Sequence, residues 1–119
     1  MALRHINQEQ FRQMVMNYDN ASGAHEFQGS RPAAVDFYAP WCSPCRALSL
    51  IWEELAEEYE GKVDFYKVNI DEDRELANDF HVRGIPTLVF FSPDSDPHNF
   101  IGYYSKSELR HALERLIRT

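Results

Sequence analysis

Apolar side chains spaced three and four residues apart mark the segments that the sequence predicts to be helical. The first segment follows Asn7, which can cap a helix with Gln10 in the capping-box position, and its apolar stripe is Phe11, Met14, Val15 and Tyr18. The longest stripe is Leu48, Ile51, Trp52, Leu55 and Tyr59. Gly61 is placed to end that helix in a left-handed turn.

Two further helices are predicted in the second half of the chain. The first is short, and its apolar residues are Leu76, Ala77 and Phe80. The second has the capping-box spacing between Ser105 and Glu108. Its apolar stripe is Leu109, Ala112, Leu113, Leu116 and Ile117.

Short runs of apolar, β-branched and aromatic residues between these helices are predicted to be strands, at residues 33–38, 63–68 and 87–91. Residues 92–97 have the composition of a turn. Residues 99–103 are predicted to return as an antiparallel edge strand, with Pro97 tolerated only at its start. This order of strands and helices predicts an α/β sandwich with a mixed central sheet and right-handed connections between parallel strands.

The length of 119 residues predicts a single domain spanning residues 1–119, with a loop extension at about residues 17–31, where Asn, Asp, Ser and Gly are frequent. The net charge of −7 opposes binding to a nucleic-acid backbone. No run approaches the roughly 20 apolar residues that cross a bilayer, and residues 1–10 lack the apolar core of a secretory signal. We therefore expect a soluble cytoplasmic protein that binds neither nucleic acid nor membrane, or a periplasmic one if a signal segment has been removed.

The two cysteines, Cys42 and Cys45, are the candidate reactive groups. They are too few for a disulfide-rich scaffold or a cysteine-based zinc site, and the five histidines are scattered. Separated by two residues at the start of the longest predicted helix, they are close enough to form a small disulfide ring. Cys42 would lie at or beside the helix N-cap, where unpaired N–H groups and the helix dipole stabilise the thiolate that attacks disulfides. Structural zinc and two buried spectator thiols remain as alternatives.

The chain resembles the thioredoxin family from about Pro32 to Ile117. Residues 35–45, VDFYAPWCSPC, are similar to the strand and active-site turn of that family, and residues 82–87, VRGIPT, to its cis-proline loop. Residues 67–71, KVNID, are similar to the strand that carries its lysine, and Gly102 matches a glycine at the border of its substrate groove. The resemblance implies a thioredoxin-like three-layer α/β/α sandwich with a mixed central β-sheet.

The same resemblance implies roles for individual residues. Cys42 would be the nucleophile and Cys45 the resolving thiol. Asp36 would be a buried carboxylate that assists proton transfer at Cys45, with Lys67 as its neighbour. A carboxylate in an apolar strand is costly unless it is paired or protonated, and its pKa is raised. The alternative is that Asp36 is a satisfied polar core residue.

Pro86 is implied to be cis, and the contact surface around the nucleophile is implied to contain Trp41, Gly84, Ile85, Pro86 and Gly102, with Tyr103 as a further candidate. Core packing is the alternative interpretation of Trp41.

Three residues depart from the family pattern. In the active-site turn of Ser43 and Pro44, Ser43 replaces a usual glycine, while Tyr38 replaces a frequent tryptophan. Leu50 replaces the proline that commonly kinks the active-site helix, so we expect a straighter helix.

The function implied is that of a protein-disulfide reductase, which acts through the redox-active disulfide Cys42–Cys45 and a mixed-disulfide intermediate. Disulfide-containing client proteins and a thioredoxin reductase as electron donor would be its partners. Its role would be in electron transport and cell redox homeostasis, with no bound cofactor, no metal and a monomeric state as the default. The alternatives are a disulfide oxidase, isomerase or electron relay in an oxidising compartment, and a thioredoxin-like binding module.

Overall fold

A five-stranded mixed sheet forms the centre of the protein in a computed structural model, which describes residues 3–17, 26–93 and 95–118. Its strands are β1 (Leu3–His5), β4 (Ala33–Tyr38), β5 (Asp64–Asn69), β6 (Thr87–Ser92) and β7 (Ser95–Ile101), in the spatial order β1-β5-β4-β6-β7. The strands β1 and β4 run parallel to β5, whereas β6 is antiparallel to β4 and β7 is antiparallel to β6. The predicted mixed sheet is confirmed.

Four helices cover the two faces of this sheet: α1 (Gln8–Met14), α2 (Ser43–Glu58), α3 (Arg74–Asp79) and α4 (Lys106–Arg118). Because side chains alternate along a strand, each of the three central strands β4, β5 and β6 contributes to two cores. Ala34 of β4 packs in a cluster with residues of α2 and α4, and its neighbour Val35 packs in a second cluster with residues of α1 and α3. The three-layer α/β/α sandwich is therefore confirmed.

The two capping boxes and the glycine after α2 that the sequence predicted are present in the structure. The Asn7 side chain accepts a hydrogen bond from the Gln10 backbone N–H at 2.9 Å, and the Gln10 side chain accepts one from the Asn7 N–H, also at 2.9 Å. Ser105 and Glu108 form the corresponding box before α4. Gly61 follows α2 with a φ of 86°, the left-handed conformation that favours glycine. The helix α2 continues through Leu50.

Three predictions about the strands need correction. No strand was predicted before α1, yet β1 pairs with β5. The predicted loop contains Asn17, Glu26 and Phe27, which lie in the two-residue strands β2 (Met16–Asn17) and β3 (Glu26–Phe27), paired with each other. The rest of the predicted loop extension up to residue 25, with Tyr18 of the first stripe, lies outside the described residues.

The third correction concerns Pro97. It lies inside β7, which begins at Ser95 and ends at Ile101, so the turn is shorter than predicted and the strand ends earlier. A proline is tolerated there because β7 is an edge strand and its pairing with β6 is irregular between Phe90 and Ser92.

Candidate functional site

The two cysteines form a disulfide at the start of α2, with their Cα atoms 5.2 Å apart. Cys42 is the N-cap residue, and its Sγ accepts a hydrogen bond from the Cys45 backbone N–H at 3.2 Å. Pro44 occupies the first turn of the helix, where its missing N–H costs no intrahelical bond. The predicted N-cap position of Cys42 is confirmed, and a helix N-terminus in this arrangement favours negative charge on sulfur.

An arginine braces the turn between the cysteines. Arg46 donates from Nη2 to the Ser43 hydroxyl and from Nη1 to the Pro40 carbonyl, both at 3.0 Å. Ser43, the residue that departs from the usual glycine, thus accepts a hydrogen bond that glycine could not accept. The bond fixes a guanidinium charge at the edge of the disulfide site.

The loop that contains Ile85 and Pro86 lies against the disulfide. The Ile85–Pro86 peptide bond is cis, as the resemblance implied. The carbonyl oxygen of Ile85 is 3.9 Å from the Cys42 Sγ, and the Pro86 carbonyl accepts a hydrogen bond from the Gly102 N–H at 2.8 Å. Gly102 has a φ of 98°, so a side chain at this position would be strained. These contacts bring Ile85, Pro86 and Gly102 together beside Cys42.

Large apolar side chains next to Cys42 and next to Gly102 in the chain are exposed. Trp41 is 66% exposed, Ile101 63% and Tyr103 54%. The alternative that Trp41 packs in the core is therefore wrong. Its indole N–H donates to the Asp71 carboxylate at 2.9 Å, which holds the exposed ring in place.

Two of these residues were missed by the sequence reasoning. Ile101 lies beside Gly84, where a Cβ atom added to the glycine would be 3.6 Å from the Ile101 Cγ2. The sequence feature that could have indicated Ile101 is the position of this apolar residue next to Gly102, the glycine at the border of the groove. The feature that could have indicated Asp71 is the position of this acidic residue just beyond the end of β5. That strand runs parallel to β4, which leads to the cysteines.

Asp36 is fully buried on β4, and neither carboxylate oxygen accepts a hydrogen bond from a residue that the structure describes. No described residue supplies the hydrogen-bond partner that the alternative of a satisfied polar core residue requires. Burial raises the pKa of Asp36 from 3.8 to about 7, and the positive charge of Lys67 offsets only part of that rise. A carboxyl group in this state can exchange a proton near neutral pH.

Lys67 is the residue opposite Asp36 on the neighbouring parallel strand β5. It is buried, with 7% of its surface exposed. Its ammonium donates to the Ser49 hydroxyl of α2 at 2.9 Å and lies 4.3 Å from the centre of the Tyr38 ring. Lys67 is thus a neighbour of Asp36, as implied, but it is bound to other groups.

Other kinds of site find no support in the described part of the chain. Over residues 3–17, 26–93 and 95–118, no group of three or more His, Cys, Asp or Glu side chains is placed to hold a metal ion. His25, one of the five histidines weighed as zinc ligands, lies outside those ranges. No helix within them is long and apolar enough to span a membrane.

Comparison with known proteins gives one consistent result. The family model for thioredoxin matches residues 3–115. A thioredoxin of Borreliella burgdorferi is 36% identical over 113 residues, which are 95% of this chain and 92% of that protein. A chloroplastic M-type thioredoxin of Spinacia oleracea is 39% identical over 100 residues, covering 82% of this chain and 55% of its own length. The solved structure of a chloroplastic thioredoxin z superposes with a TM-score of 0.80 at 26% identity, over 100% of this chain and 97% of that one. These comparisons do not favour the oxidase, isomerase or binding-module alternatives.

Proposed function

This chain belongs to the thioredoxin family and is a thiol–disulfide oxidoreductase, and we propose that it works as a protein-disulfide reductase. Its redox pair is Cys42–Cys45. The observation that carries the proposal is the position of Cys42 at the N-cap of α2, with a backbone N–H directed at its sulfur. That environment stabilises a thiolate, which is the attacking form in disulfide exchange.

The reaction takes place in two exchange steps. The Cys42 thiolate attacks one sulfur of a client disulfide, so a mixed disulfide forms and the other client sulfur leaves as a thiolate. Cys45 then loses its proton and attacks the Cys42 Sγ, which releases the second client thiolate and forms the Cys42–Cys45 disulfide. Two electrons have passed from the protein to the client. Cys45 suits the resolving role because it is 2% exposed and lies one turn inside α2.

Asp36 is the proposed proton acceptor for Cys45 in the second step. Its burial and its pKa of about 7 support this role, because a general base works best when its pKa is near the working pH. Lys67 is proposed to act on this step through its charge, which lowers the pKa of Asp36.

The client is proposed to bind as an extended segment across the surface beside Cys42. Backbone groups of Ile85, held between the cis-proline and the Cys42 sulfur, would pair with the client as an added strand does. Gly84 and Gly102 would allow close approach of the client backbone. Pro86 and the exposed ring of Trp41 would supply apolar contact.

The proposed partners follow from this chemistry. Clients are proteins with accessible disulfides, and a flavin-containing thioredoxin reductase is the proposed electron donor. The proposed role is in electron transport and cell redox homeostasis. We propose that it acts as a monomer, without a bound cofactor. Its proposed compartment is the reducing cytoplasm, with the periplasm as the alternative if a leader has been removed; one relative named above is chloroplastic.

Trapping of the mixed disulfide tests the mechanism. Cys45→Ser should accumulate covalent, dithiothreitol-sensitive adducts with a disulfide-containing client, because the resolving thiol is gone. Cys42→Ser, the matched control, should form none. Adducts through neither variant, or equally through both, would contradict the assigned roles.

The reduction potential of the Cys42–Cys45 pair tests the direction of electron flow. A value near −270 mV is expected for a reductase, whereas a value near −120 mV would identify a strong oxidant. A variant with both cysteines replaced by serine should lose activity. Full biological activity in that variant would support a binding module instead.

A further inference from the structure

We propose that Ser49 is a positioning residue that holds the Lys67 ammonium away from the Asp36 carboxyl. The inference deepens the function proposed above, since Asp36 is the proton acceptor assigned there. The Ser49 hydroxyl is on α2, and the two buried ionisable side chains that it affects are on the sheet.

The backbone places Lys67 and Asp36 side by side. They are register partners on the parallel strands β5 and β4, so their side chains leave the same face of the sheet. Neighbouring strands are about 4.8 Å apart, a distance that a lysine side chain easily crosses. A direct ion pair would be the ordinary arrangement for two buried, opposite charges. The carboxylate oxygens of Asp36 nevertheless accept no hydrogen bond from any residue described, Lys67 included.

The ammonium of Lys67 is held by two other groups. It donates to the Ser49 hydroxyl at 2.9 Å, and it lies 4.3 Å from the centre of the Tyr38 ring, within the range of a cation–π interaction. Both interactions gain strength from burial, because little water competes for an ammonium that is 7% exposed. Ser49 follows Cys45 by four residues on α2, so it lies on the same face of that helix one turn further along.

The remaining charged and titratable groups around the ammonium come from several elements. His5 of β1 is the register partner of Lys67 on its other side. His5, Tyr38, Glu72 and Asp73 line, together with Lys67, a cavity of about 210 Å³. The nearby disulfide of Cys45 carries no proton in the oxidised protein.

None of these groups donates a hydrogen bond to the Asp36 carboxylate. Burial raises the pKa of the Tyr38 phenol, and the negative charges of Glu72 and Asp36 raise it further, so these surroundings favour a cation. The Ser49 bond therefore keeps the ammonium beside a cavity that stabilises it and away from the carboxyl group.

The consequence concerns the pH range in which Asp36 exchanges a proton. An opposite charge within about 4–6 Å lowers the pKa of a carboxyl group by one to three units. With Lys67 bound to Ser49, this lowering is incomplete, and burial keeps the pKa of Asp36 raised. Without Ser49, the ammonium loses its hydrogen bond to α2 and keeps the weaker contact with the Tyr38 ring, so it can turn to Asp36 and pair with it.

A carbon-detected NMR titration of the Asp36 carboxyl in the oxidised protein tests this proposal. The pKa of Asp36 should fall by about one unit in Ser49→Ala, while Ser49→Thr, which keeps the hydroxyl, should retain the wild-type value. Ser107→Ala removes an exposed serine hydroxyl on α4 and should also leave the pKa unchanged. An unchanged or raised pKa in Ser49→Ala would overturn the proposal.

A second background shows whether the effect passes through Lys67. In Lys67→Met, adding Ser49→Ala should cause no further change in the Asp36 pKa. A one-unit fall that persists without the ammonium would refute the proposed linkage. The titration needs no client and no turnover, so it gives its answer even if the trapping experiment with Cys45→Ser contradicts the reductase mechanism.

Discussion

The Asp36 carboxyl is a single side chain whose protonation changes the stability of the whole domain. Its pKa is about 7 in the folded protein, against 3.8 for an ordinary aspartate. Between pH 4 and pH 7 the folded chain therefore keeps a proton at Asp36 that the unfolded chain has lost. By linkage, the contribution of Asp36 to the free energy of unfolding falls as pH rises through this interval.

Replacement of Asp36 by asparagine should remove this dependence. At pH 8, Asp36→Asn should raise the free energy of unfolding by roughly 2 to 4 kcal/mol relative to wild type, and the gain should approach zero at pH 4. Urea unfolding of both proteins at the two pH values measures the difference. A gain of equal size at both pH values would mean that burial does not raise the pKa of Asp36.

At the same scale, the sequence predicted the reacting residues better than the residues that position them. The spacing of Cys42 and Cys45 and the isolated charge of Asp36 in an apolar strand are local patterns. The contacts of Ser49 with Lys67 and of Trp41 with Asp71 join residues on different elements. No periodicity marks such pairs, because they depend on how α2 and the segment after β5 are placed over the sheet.

Helix ends are the best predicted features at the scale of the element. The capping box before α4 consists of two hydrogen bonds between Ser105 and Glu108, with lengths of 2.9 and 3.2 Å. It satisfies backbone N–H groups that the first turn of a helix otherwise leaves unpaired. The helix packs Leu109, Leu113 and Leu116 into the core, so a frayed end would disturb more than the surface.

Ser105→Ala should accordingly lower the free energy of unfolding by about 1 kcal/mol. Ser107→Ala, at an exposed position two residues after the cap, should change it by less than about 0.5 kcal/mol. Chemical denaturation of both variants under the same conditions gives the comparison. Equal effects of the two substitutions would show that the cap does not stabilise α4.

Strand pairing was harder to predict than capping. The three residues of β1 are too few to show an alternation, and the strand is stabilised by pairing with β5, far away in the sequence. Pro97 was expected only at a strand start, since the sequence does not reveal which strand will be at an edge. The irregular pairing of β7 with β6 then accommodates the proline.

The charge of the whole molecule affects the rate at which clients are encountered. The chain carries a net charge of −7, and a field of this sign steers cationic molecules toward the surface and repels anionic ones. At the site itself Arg46 contributes a positive charge and Asp71 a negative one, so the long-range field is set mainly by the rest of the surface.

We expect the reduced protein to react faster with a cationic small disulfide such as cystamine than with a dicarboxylate disulfide of similar size at low ionic strength. The ratio of the two rate constants should fall several-fold in 0.5 M salt, because the Debye length shortens to a few ångströms. Stopped-flow measurement of Trp fluorescence follows both reactions. A ratio that does not depend on salt would mean that steering by net charge is absent.

The pairing of β1 with β5 has a consequence for biosynthesis. Leu3 pairs with Phe65, so β1 must wait during synthesis for a partner that is made about sixty residues later. At 5–20 residues per second this delay is roughly 3 to 12 seconds. Throughout that time β1 and the adjacent apolar Ile6 have no sheet to join. This segment is accessible to chaperones until β5 emerges, and its attachment then adds the edge strand on that side of the sheet.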